Sequence, residues 1–223
     1  MLENKPRRMQ ETKLPTKMKK KFFLIKFSFI FSIFLVDQIS KYYVKTHFSL
    51  GDGVRVFDWF QILFVENEGM AWGAKIPGTY GKLFLTLFRL IAIVGIGYWL
   101  WDSVRKNMSK VLIVAISLIF AGAFGNIIDS VFYGLIFNDS HHQVASLFPA
   151  EGGYGDVFYG KVVDMLYFPL WKGYLPEWLP FWGGTFFTFF DPVFNIADMS
   201  ISTGVGLLIA FNKRAFPKSE PNE

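Results

Sequence analysis

The chain lacks cysteine altogether, which excludes disulfides, thiolate metal sites and thiol redox chemistry. It therefore also excludes the small four-helix membrane enzymes that shuttle disulfides. Charged residues are scarce, at 18% of the chain, whereas soluble domains average about 25%. Three histidines are present, and the adjacent pair His141-His142 lies in a polar loop without a recognisable set of metal ligands. We expect neither a metal nor a cofactor.

Hydrophobic residues make up 52% of the 223 positions and aromatic residues 19%, and the mean hydropathy is +0.32. This composition is typical of a membrane protein, and the length suits one compact unit. The net charge of +5 does not indicate a nucleic-acid partner, because nine of the 23 Lys and Arg residues lie in Met1–Lys26. A basic cluster before and at the start of the first apolar run orients a membrane protein instead.

Four apolar segments are long enough to cross a hydrocarbon core, which needs about 20 residues of helix. Helices are the expected spanning form, because every backbone group must be hydrogen-bonded within the protein. The predicted fold class is therefore an all-α membrane protein with four transmembrane helices. The segments are Phe22–Tyr43, Leu83–Trp101, Val111–Ile128 and Val193–Phe211.

Positive charge is concentrated in the segments that this topology places inside. Asp102–Lys110 and the C-terminal tail are basic like the N-terminal cluster, whereas the two other connections carry few Lys or Arg. We therefore expect both termini in the cytoplasm and the two long loops outside. No small-x-small cleavage motif follows the first segment, which favours a retained helix over a cleaved signal peptide. The predicted units are a disordered leader (1–18), a membrane domain (19–212) and a cytoplasmic tail (213–223).

The two outer loops differ in character. Val54–Val65 is rich in β-branched and aromatic residues and precedes a turn at Glu66–Gly69, so strands are predicted in the first loop. The second loop, Leu135–Pro192, is long and carries a dense run of Phe from Phe181 to Phe190. Aromatic residues of this kind favour the membrane–water boundary. A packed lid without membrane contact is the alternative.

A repeated tetrapeptide marks a candidate insertion in the second outer loop. Val131–Gly134 and Val157–Gly160 both read Val-Phe-Tyr-Gly. Removing the 26 residues Leu135–Gly160 shortens the spacing between Asp129 and Asp164 from 35 positions to 9. We therefore interpret 135–160 as an insertion into a tighter connection, and expect the two aspartates to be close in space. Coincidence is the alternative, because these residue types are common in membrane proteins.

Two acidic residues stand near the depth of the membrane. Asp164 precedes the aromatic part of the second loop, and Asp198 lies near the start of the fourth apolar segment. A carboxylate in or beside hydrocarbon is costly, so each one indicates a functional site. If the fold brings the two together, repulsion makes them share one proton. A carboxyl pair in that state activates water to attack an amide.

Asparagines accompany the acidic residues at a helical spacing. Asn126 and Asp129 end the third segment, and Asn195 and Asp198 begin the fourth, each pair at i and i+3. Residues at this spacing lie on the same face of a helix. The symmetry favours a polar site shared between two helices, and a purely structural polar network is the alternative.

Three other features are candidates for the same site. Asp37 and Lys41, at i and i+4, form either a boundary ion pair or a fixed charge at the mouth of a site. Glu66–Gly73 combines an amide, a turn and small residues that allow a substrate backbone to approach, although an ordinary hairpin turn is the interpretation that we favour without other evidence. Arg89, within the second segment, is either a counter-ion or a side chain that extends to the outer boundary, and we favour the second interpretation.

Together these residues resemble the lipoprotein signal peptidase family, also called signal peptidase II. Five short blocks occur in the family's order on a chain with four predicted spans. The resemblance covers Lys19 to Asn212, apart from the insertion and part of the aromatic loop. The blocks are Asp37–Lys41, Asn67–Gly73, Gly125–Asp129, Val162–Asp164 and Phe194–Asp198.

The resemblance implies an aspartyl endopeptidase of the bacterial inner membrane. It would remove signal peptides from prolipoproteins that carry diacylglycerol on a cysteine, cutting before that cysteine near the periplasmic face. Asp164 and Asp198 would be the catalytic dyad, Asp37 and Lys41 would shape the mouth of the pocket, and the first outer loop would form a small β-cradle. The residues implied to line or support the pocket are Asn67, Gly69, Ala71, Gly125, Asn126, Asp129, Asn195 and Ala197.

The chain departs from the family at one position of the third block. The family commonly has Arg directly after the aspartate, where this chain has Ser130, so Lys161 or Arg89 would have to make the contact of that Arg. The expected partners are lipidated prolipoproteins and membrane lipid, without nucleic acid, and the expected state is a monomer.

Two other functions fit the same residues. A small proton-coupled transporter would use Asp, Asn and Lys within the membrane as a proton path, although the internal repeat of helical halves common in transporters is not evident. A non-enzymatic lipoprotein-binding protein would keep the pocket and lose nothing when the dyad is mutated.

Overall fold

Four long helices coincide with the four predicted apolar segments. The structure, a computed structural model, describes residues 16–70, 76–78 and 80–217. The long helices are α1 (Thr16–His47), α2 (Gly81–Arg105), α3 (Lys110–Ile128) and α5 (Ile196–Ala210). A π-helical turn (Asp129–Tyr133) continues α3 into the short helix α4 (Gly134–Ile136), and α6 (Asn212–Ala215) follows α5.

The helices have the apolar surfaces of a membrane protein. Within the described ranges, α2 and the continuous helix Lys110–Ile136 are long and apolar enough to cross a membrane, and α5 is apolar but shorter. Much of α2 points apolar side chains outward, as at Ile91 and Val94, which are 73% and 71% exposed. A helix that is hydrophobic on its outer face requires an apolar environment there.

Within the described ranges, six strands form two separate antiparallel sheets beside the helices. β1 (Gly53–Phe57), β2 (Phe60–Asn67), β3 (Val162–Tyr167) and β6 (Val193–Phe194) pair in the order β1-β2-β3-β6. β4 (Trp171–Tyr174) and β5 (Phe186–Phe189) form a hairpin of their own. The prediction of an all-α protein with strands in the first loop is therefore too narrow, because the second loop supplies β3 and the start of the predicted fourth segment supplies β6.

The strand region predicted in the first loop is a hairpin whose turn the sequence did not reveal. Phe57 pairs with Phe60, so Asp58 and Trp59 form a two-residue connection without glycine or proline. The predicted turn at Glu66–Gly69 begins later than expected, since β2 continues to Asn67 where it pairs with β3.

The second loop leaves the helix end and returns to it. The backbone N–H of Gly160 donates to the carbonyl of Ser130 at 3.0 Å, and that of Phe158 to Val131 at 3.2 Å. The next residues enter β3, where the N–H of Val163 donates to Asp129 Oδ2 at 3.3 Å. Asp129 therefore contacts the strand that carries Asp164, although the interpretation of 135–160 as an insertion stays a prediction.

Hydrophobic packing joins the helices to the larger sheet and to one another. One cluster joins the end of α1, the central strands and the second loop; its buried members are Val44, Phe64, Tyr133, Phe137, Ala145, Val163 and Met165. Below it, α3 packs closely on α5 through small residues. A Cβ atom at Gly122 would meet the backbone carbonyl of Ala197, and one at Gly204 would lie 2.6 Å from the carbonyl oxygen of Ala115. Glycine is thus required for this helix contact.

Replacing Gly122 by alanine is expected to lower the free energy of unfolding by about 1–3 kcal/mol, because overpacking forces the two helix backbones apart. Gly206→Ala in α5 is the matched control, since a Cβ there meets nothing within 4 Å. That change should be neutral or stabilising by up to about 1 kcal/mol. Thermal unfolding in detergent measures both, and equal midpoints for the two variants would contradict the packing described here.

Candidate active site

Asp164 projects from the middle of the larger sheet into a cleft. Its strand β3 pairs with β2 so that Asp164 lies opposite Val65, and its side chain is buried. Oδ1 accepts a hydrogen bond from Asn195 Nδ2 at 2.7 Å, and Oδ2 accepts one from the side-chain amide of Asn67. Both carboxyl oxygens are therefore held by neutral amide donors.

Asp198 is placed by the way helix α5 begins. Asn195 is the N-cap residue, and its Oδ1 accepts from the N–H of Asp198 at 2.9 Å. Asp198 Oδ2 accepts in return from the N–H of Asn195 at 3.3 Å, which completes a capping box. The other carboxyl oxygen, Oδ1, accepts from Asn126 Nδ2 at 2.8 Å. The local chemistry of the helix start thus fixes the carboxylate in space.

Asn195 joins the two aspartates. Besides capping the helix that carries Asp198, its Nδ2 lies 2.7 Å from Asp164 Oδ1 and 3.1 Å from Asn126 Oδ1. Both carboxylates line the same cleft, which has a volume of about 760 Å³. The structure therefore brings together the two acidic residues that the sequence separates by 34 positions.

Burial in this setting favours the neutral form of Asp164. Removal from water raises the pKa of Asp164 to about 8, and the negative charge of Asp198 acts in the same direction. The positive charge of Lys41 and the amides of Asn195 and Asn67 oppose the shift without cancelling it. A carboxyl group that keeps its proton at neutral pH can donate a hydrogen bond.

A buried ion cluster lies behind the cleft. The ammonium of Lys41 contacts Asp37 Oδ2 at 2.9 Å, Asp129 Oδ2 at 2.8 Å and Asn126 Oδ1 at 2.8 Å. All of these side chains are buried. Asp37 and Lys41 were expected at the mouth of the pocket, and that expectation is corrected: they support it from behind. Two carboxylates from different helices compensate the lysine, which lets it lie in the interior.

Asp37 also reaches the helix that carries Asp198. Its Oδ1 accepts from the N–H of Ala197 at 2.9 Å, and the side chain packs against Gly125, where a Cβ atom would lie 2.5 Å from Asp37 Oδ2. Gly125 and Ala197 thus belong to the supporting layer and do not line the cleft.

The remaining predicted residues divide between the cleft wall and its surroundings. Asn67, Gly69 and Asn126 line the cleft together with the two aspartates. Gly69 has a positive φ of 97°, which favours glycine, and a side chain there would collide with the guanidinium of Arg89. Asn195 and Asp129 are buried behind the wall, and Ala71 lies outside the described residues.

Arg89 enters the site, so the preferred interpretation that it extends to the outer boundary is wrong. Its Nη1 donates to Ser130 Oγ at 3.3 Å, and the residue lines the cleft with Asp164 and Asp198. Lys161, the other candidate to replace the family's arginine at position 130, instead approaches Glu66 Oε2 at 3.4 Å. The negative charges of Asp164 and Asp198 in the same cleft favour this position of the guanidinium.

Some supporting residues were missed by the sequence reasoning. Gln38, next to Asp37, donates from Nε2 to Asp129 Oδ1 at 3.0 Å, and its position inside the first block was the available signal. Lys45, one turn beyond Lys41, pairs with Glu66 and also donates to Ser140 Oγ at 2.9 Å. The spacing of Lys41 and Lys45 could have indicated the shared face, but Ser140 gave no signal.

Asp164 on β3 and Asp198 at the start of α5 share one cleft, which is an arrangement typical of aspartic peptidases. The chain belongs to the signal peptidase II family, whose model matches residues 29–212. A lipoprotein signal peptidase of Porphyromonas gingivalis is 53% identical over 178 residues, which cover 79% of this chain and 77% of that protein. One of Amoebophilus asiaticus is 38% identical over 185 residues, covering 81% and 74% respectively.

Solved structures have the same fold. One bacterial membrane enzyme is 27% identical to this chain with a TM-score of 0.58, covering 91% of this chain and 96% of its own. A second is 26% identical with a TM-score of 0.56, covering 87% and 96%. The chain is thus a bacterial membrane enzyme of the aspartic peptidase type.

Lys41→Met is expected to lower the free energy of unfolding by about 3–5 kcal/mol, because it leaves two buried carboxylates without their counter-charge. Lys106→Met is the matched control, since Lys106 pairs with Asp102 at 2.7 Å on the surface. An exposed pair of that kind contributes about 0–1 kcal/mol. Chemical unfolding in mixed micelles separates the two cases, and a small effect at Lys41 would show that the cluster is not essential to the fold.

Proposed function

We propose that Asp164 and Asp198 are the catalytic pair with which this signal peptidase II removes signal peptides from prolipoproteins. The substrate carries diacylglycerol on a cysteine, and the cut falls on the amino side of that cysteine. Family membership supports the reaction, since the relatives are lipoprotein signal peptidases. The observation that carries the assignment is that both carboxylates line one cleft and share Asn195 as a neighbour.

The chemistry follows from one proton shared by two carboxyl groups. The ionised carboxylate takes a proton from a water molecule, while the protonated carboxyl donates to the oxygen of the scissile carbonyl. The hydroxide adds to the carbonyl carbon, and the tetrahedral intermediate then collapses as the leaving nitrogen accepts a proton from the pair. Burial raises the pKa of Asp164, which favours this residue as the one that carries the proton at rest. The two groups titrate as one unit during turnover.

The cleft wall supplies both polar and apolar contacts for the substrate. Asn67 and Arg89 present donors beside the aspartates, and Gly69 lets the guanidinium of Arg89 approach the cleft wall closely. Val162 and Phe194 provide an apolar surface next to them. The acyl chains of the substrate lie between the helices, where each buried methylene contributes about 0.8 kcal/mol to binding.

The enzyme acts at the outer face of the bacterial inner membrane as a monomer with four transmembrane helices and both termini in the cytoplasm. The site lies where α3 ends and α5 begins, at the opposite end of α3 from the basic connection that contains Arg105, Lys106 and Lys110. Basic connections remain cytoplasmic. This orientation supports a periplasmic site, to which the β-cradle formed by β1, β2, β3 and β6 also belongs.

Asp164→Asn and Asp198→Asn should each lower the turnover of a lipidated prolipoprotein by about 10²–10⁴-fold, because each removes one partner of the acid–base pair. Asp58→Asn is the control, since that side chain is 89% exposed and pairs with Arg55 outside the cleft. The assay is signal-peptide release by the purified enzyme in micelles, read on a gel.

Near-normal turnover in either dyad variant would refute the pair. Proton flux into liposomes that depends on the dyad, in the absence of peptide cleavage, would favour the transporter hypothesis. Unchanged biological function after loss of the dyad would favour a lipoprotein-binding protein.

Turnover should fall as the pH rises through about 8, because Asp164 then loses the proton that polarises the carbonyl. The free energy of unfolding should also fall as the pH rises. Between about pH 4 and the folded pKa near 8, the unfolded chain releases this proton and the folded chain keeps it. The free energy of unfolding therefore declines with pH across that window.

Comparison of the wild type with Asp164→Asn over pH 5–9 isolates this contribution, since the amide does not titrate. The part of the slope due to Asp164 must be missing in the variant. Identical slopes would show that the carboxyl is not protonated in the folded enzyme.

A further inference from the structure

Residues 170–190 form a protruding structure, here called the aromatic hairpin, which the peptidase site does not use. β4 and β5 pair from Trp171 opposite Phe189 to Tyr174 opposite Phe186, in a sheet separate from the cradle. Its outer segment is almost entirely exposed, with Trp178 at 79% and Phe181 at 96%. The other exposed large apolar side chains are Leu170, Trp171, Tyr174, Trp182, Phe186, Phe187, Phe189 and Phe190.

The aromatic hairpin does not form a lid packed on the protein. A lid would bury its apolar side chains, whereas Phe181 and Trp182 contact little else. An isolated two-stranded hairpin is at best marginally stable in water, and an apolar patch of this size in water is a liability. Lys172 and Glu177 are the two charged residues of the segment, so its net charge is zero. Something apolar must therefore cover it.

The aromatic hairpin is continuous with surfaces that face lipid. It runs through β6 directly into the apolar helix α5, whose exposed side chains include Met199 and Ile209. On its other side Phe168 stacks on Phe194 at 5.6 Å and on Phe60 at 4.8 Å. A ladder of rings thus connects the base of the aromatic hairpin to the cradle and to the start of a helix in the membrane.

The types of side chain in the aromatic hairpin indicate what covers it. Trp, Tyr and Phe with few charges are the residues that collect at the membrane–water boundary. We propose that the aromatic hairpin inserts its outer segment, around Phe181, into the outer leaflet of the bilayer next to the cleft. The partner is the lipid itself and not a second protein.

Insertion would act on the cleft through its wall. The strand that leaves the aromatic hairpin passes through Asp191, Pro192, Val193 and Phe194, all of which line the cleft. Anchoring the aromatic hairpin would hold this wall at the level where the diacylglyceryl group leaves the acyl layer. This second step rests on the proposed function, whereas insertion itself does not.

The absence of cysteine allows a direct test by single-site labelling. We would label Phe181→Cys with an environment-sensitive fluorophore and reconstitute the protein in liposomes. The control is Glu151→Cys, labelled in the same way at an exposed position of segment 135–160. Insertion predicts a blue-shifted emission at 181 that lipids with a quencher on the acyl chain suppress, and an unquenched label at 151. Absence of quenching at 181, or equal quenching at both sites, would overturn the proposal.

Two further experiments test for a protein partner and distinguish insertion of the aromatic hairpin from its effect on the cleft. Energy transfer between labels at 181 that persists when lipid is added in excess would indicate a second copy and overturn lipid insertion. In liposomes, Phe181→Asp with Trp182→Asp should raise the KM for lipidated substrate by on the order of tenfold at unchanged kcat. An unchanged KM would overturn the effect on the cleft. Failure of the catalytic proposal would appear separately, as normal turnover by Asp164→Asn with quenching at 181 intact.

Discussion

One buried lysine, Lys41, organises the end of the molecule that carries the cleft. Lys41 lies in the interior because Asp37 and Asp129 approach its ammonium at 2.9 and 2.8 Å from two different helices. Without that compensation, an ion in a medium of low dielectric costs several kcal/mol. Each carboxylate also accepts a hydrogen bond from a backbone N–H. Asp37 accepts that of Ala197 through its other oxygen, and Asp129 accepts that of Val163 through the oxygen that contacts Lys41. One cation therefore fixes the relative positions of α1, α3, α5 and β3.

The site in front of this cluster is built from neutral amides, and the difference matters for acid–base chemistry. Asn67, Asn126 and Asn195 satisfy the oxygens of Asp164 and Asp198 without neutralising them. A lysine in direct contact with Asp164 would oppose more strongly the rise in its pKa that burial causes. With the cation one layer behind, burial and mutual repulsion decide the protonation state. The fold thus separates the charges that stabilise it from the two carboxylates that line the cleft.

The helices could be predicted from sequence because they depend on a local pattern, whereas the meeting of Asp164 with Asp198 was implied only by the family resemblance. Long apolar runs predict spans, and the spacing of Asn195 and Asp198 predicts a shared helix face. What depends on distant partners could not be predicted. Lys41 is buried because Asp129, from another helix, contacts its ammonium. Arg89 points into the cleft, where it donates to Ser130. Strand β3 is too short to be distinguished before its register with β2 is known.

The path of the second outer loop has a consequence for how such a chain can diversify. Segment 135–160 departs and rejoins at neighbouring points, with Gly155 N–H donating to the carbonyl of Gly134 at 2.9 Å. Its length is therefore decoupled from the geometry of the residues on either side. Provided that the contact of Ser140 with Lys45 is retained, modules of different size can be grafted at this junction while the residues that line the cleft keep their positions. The junction is a natural point for splicing new surfaces onto an unchanged enzyme.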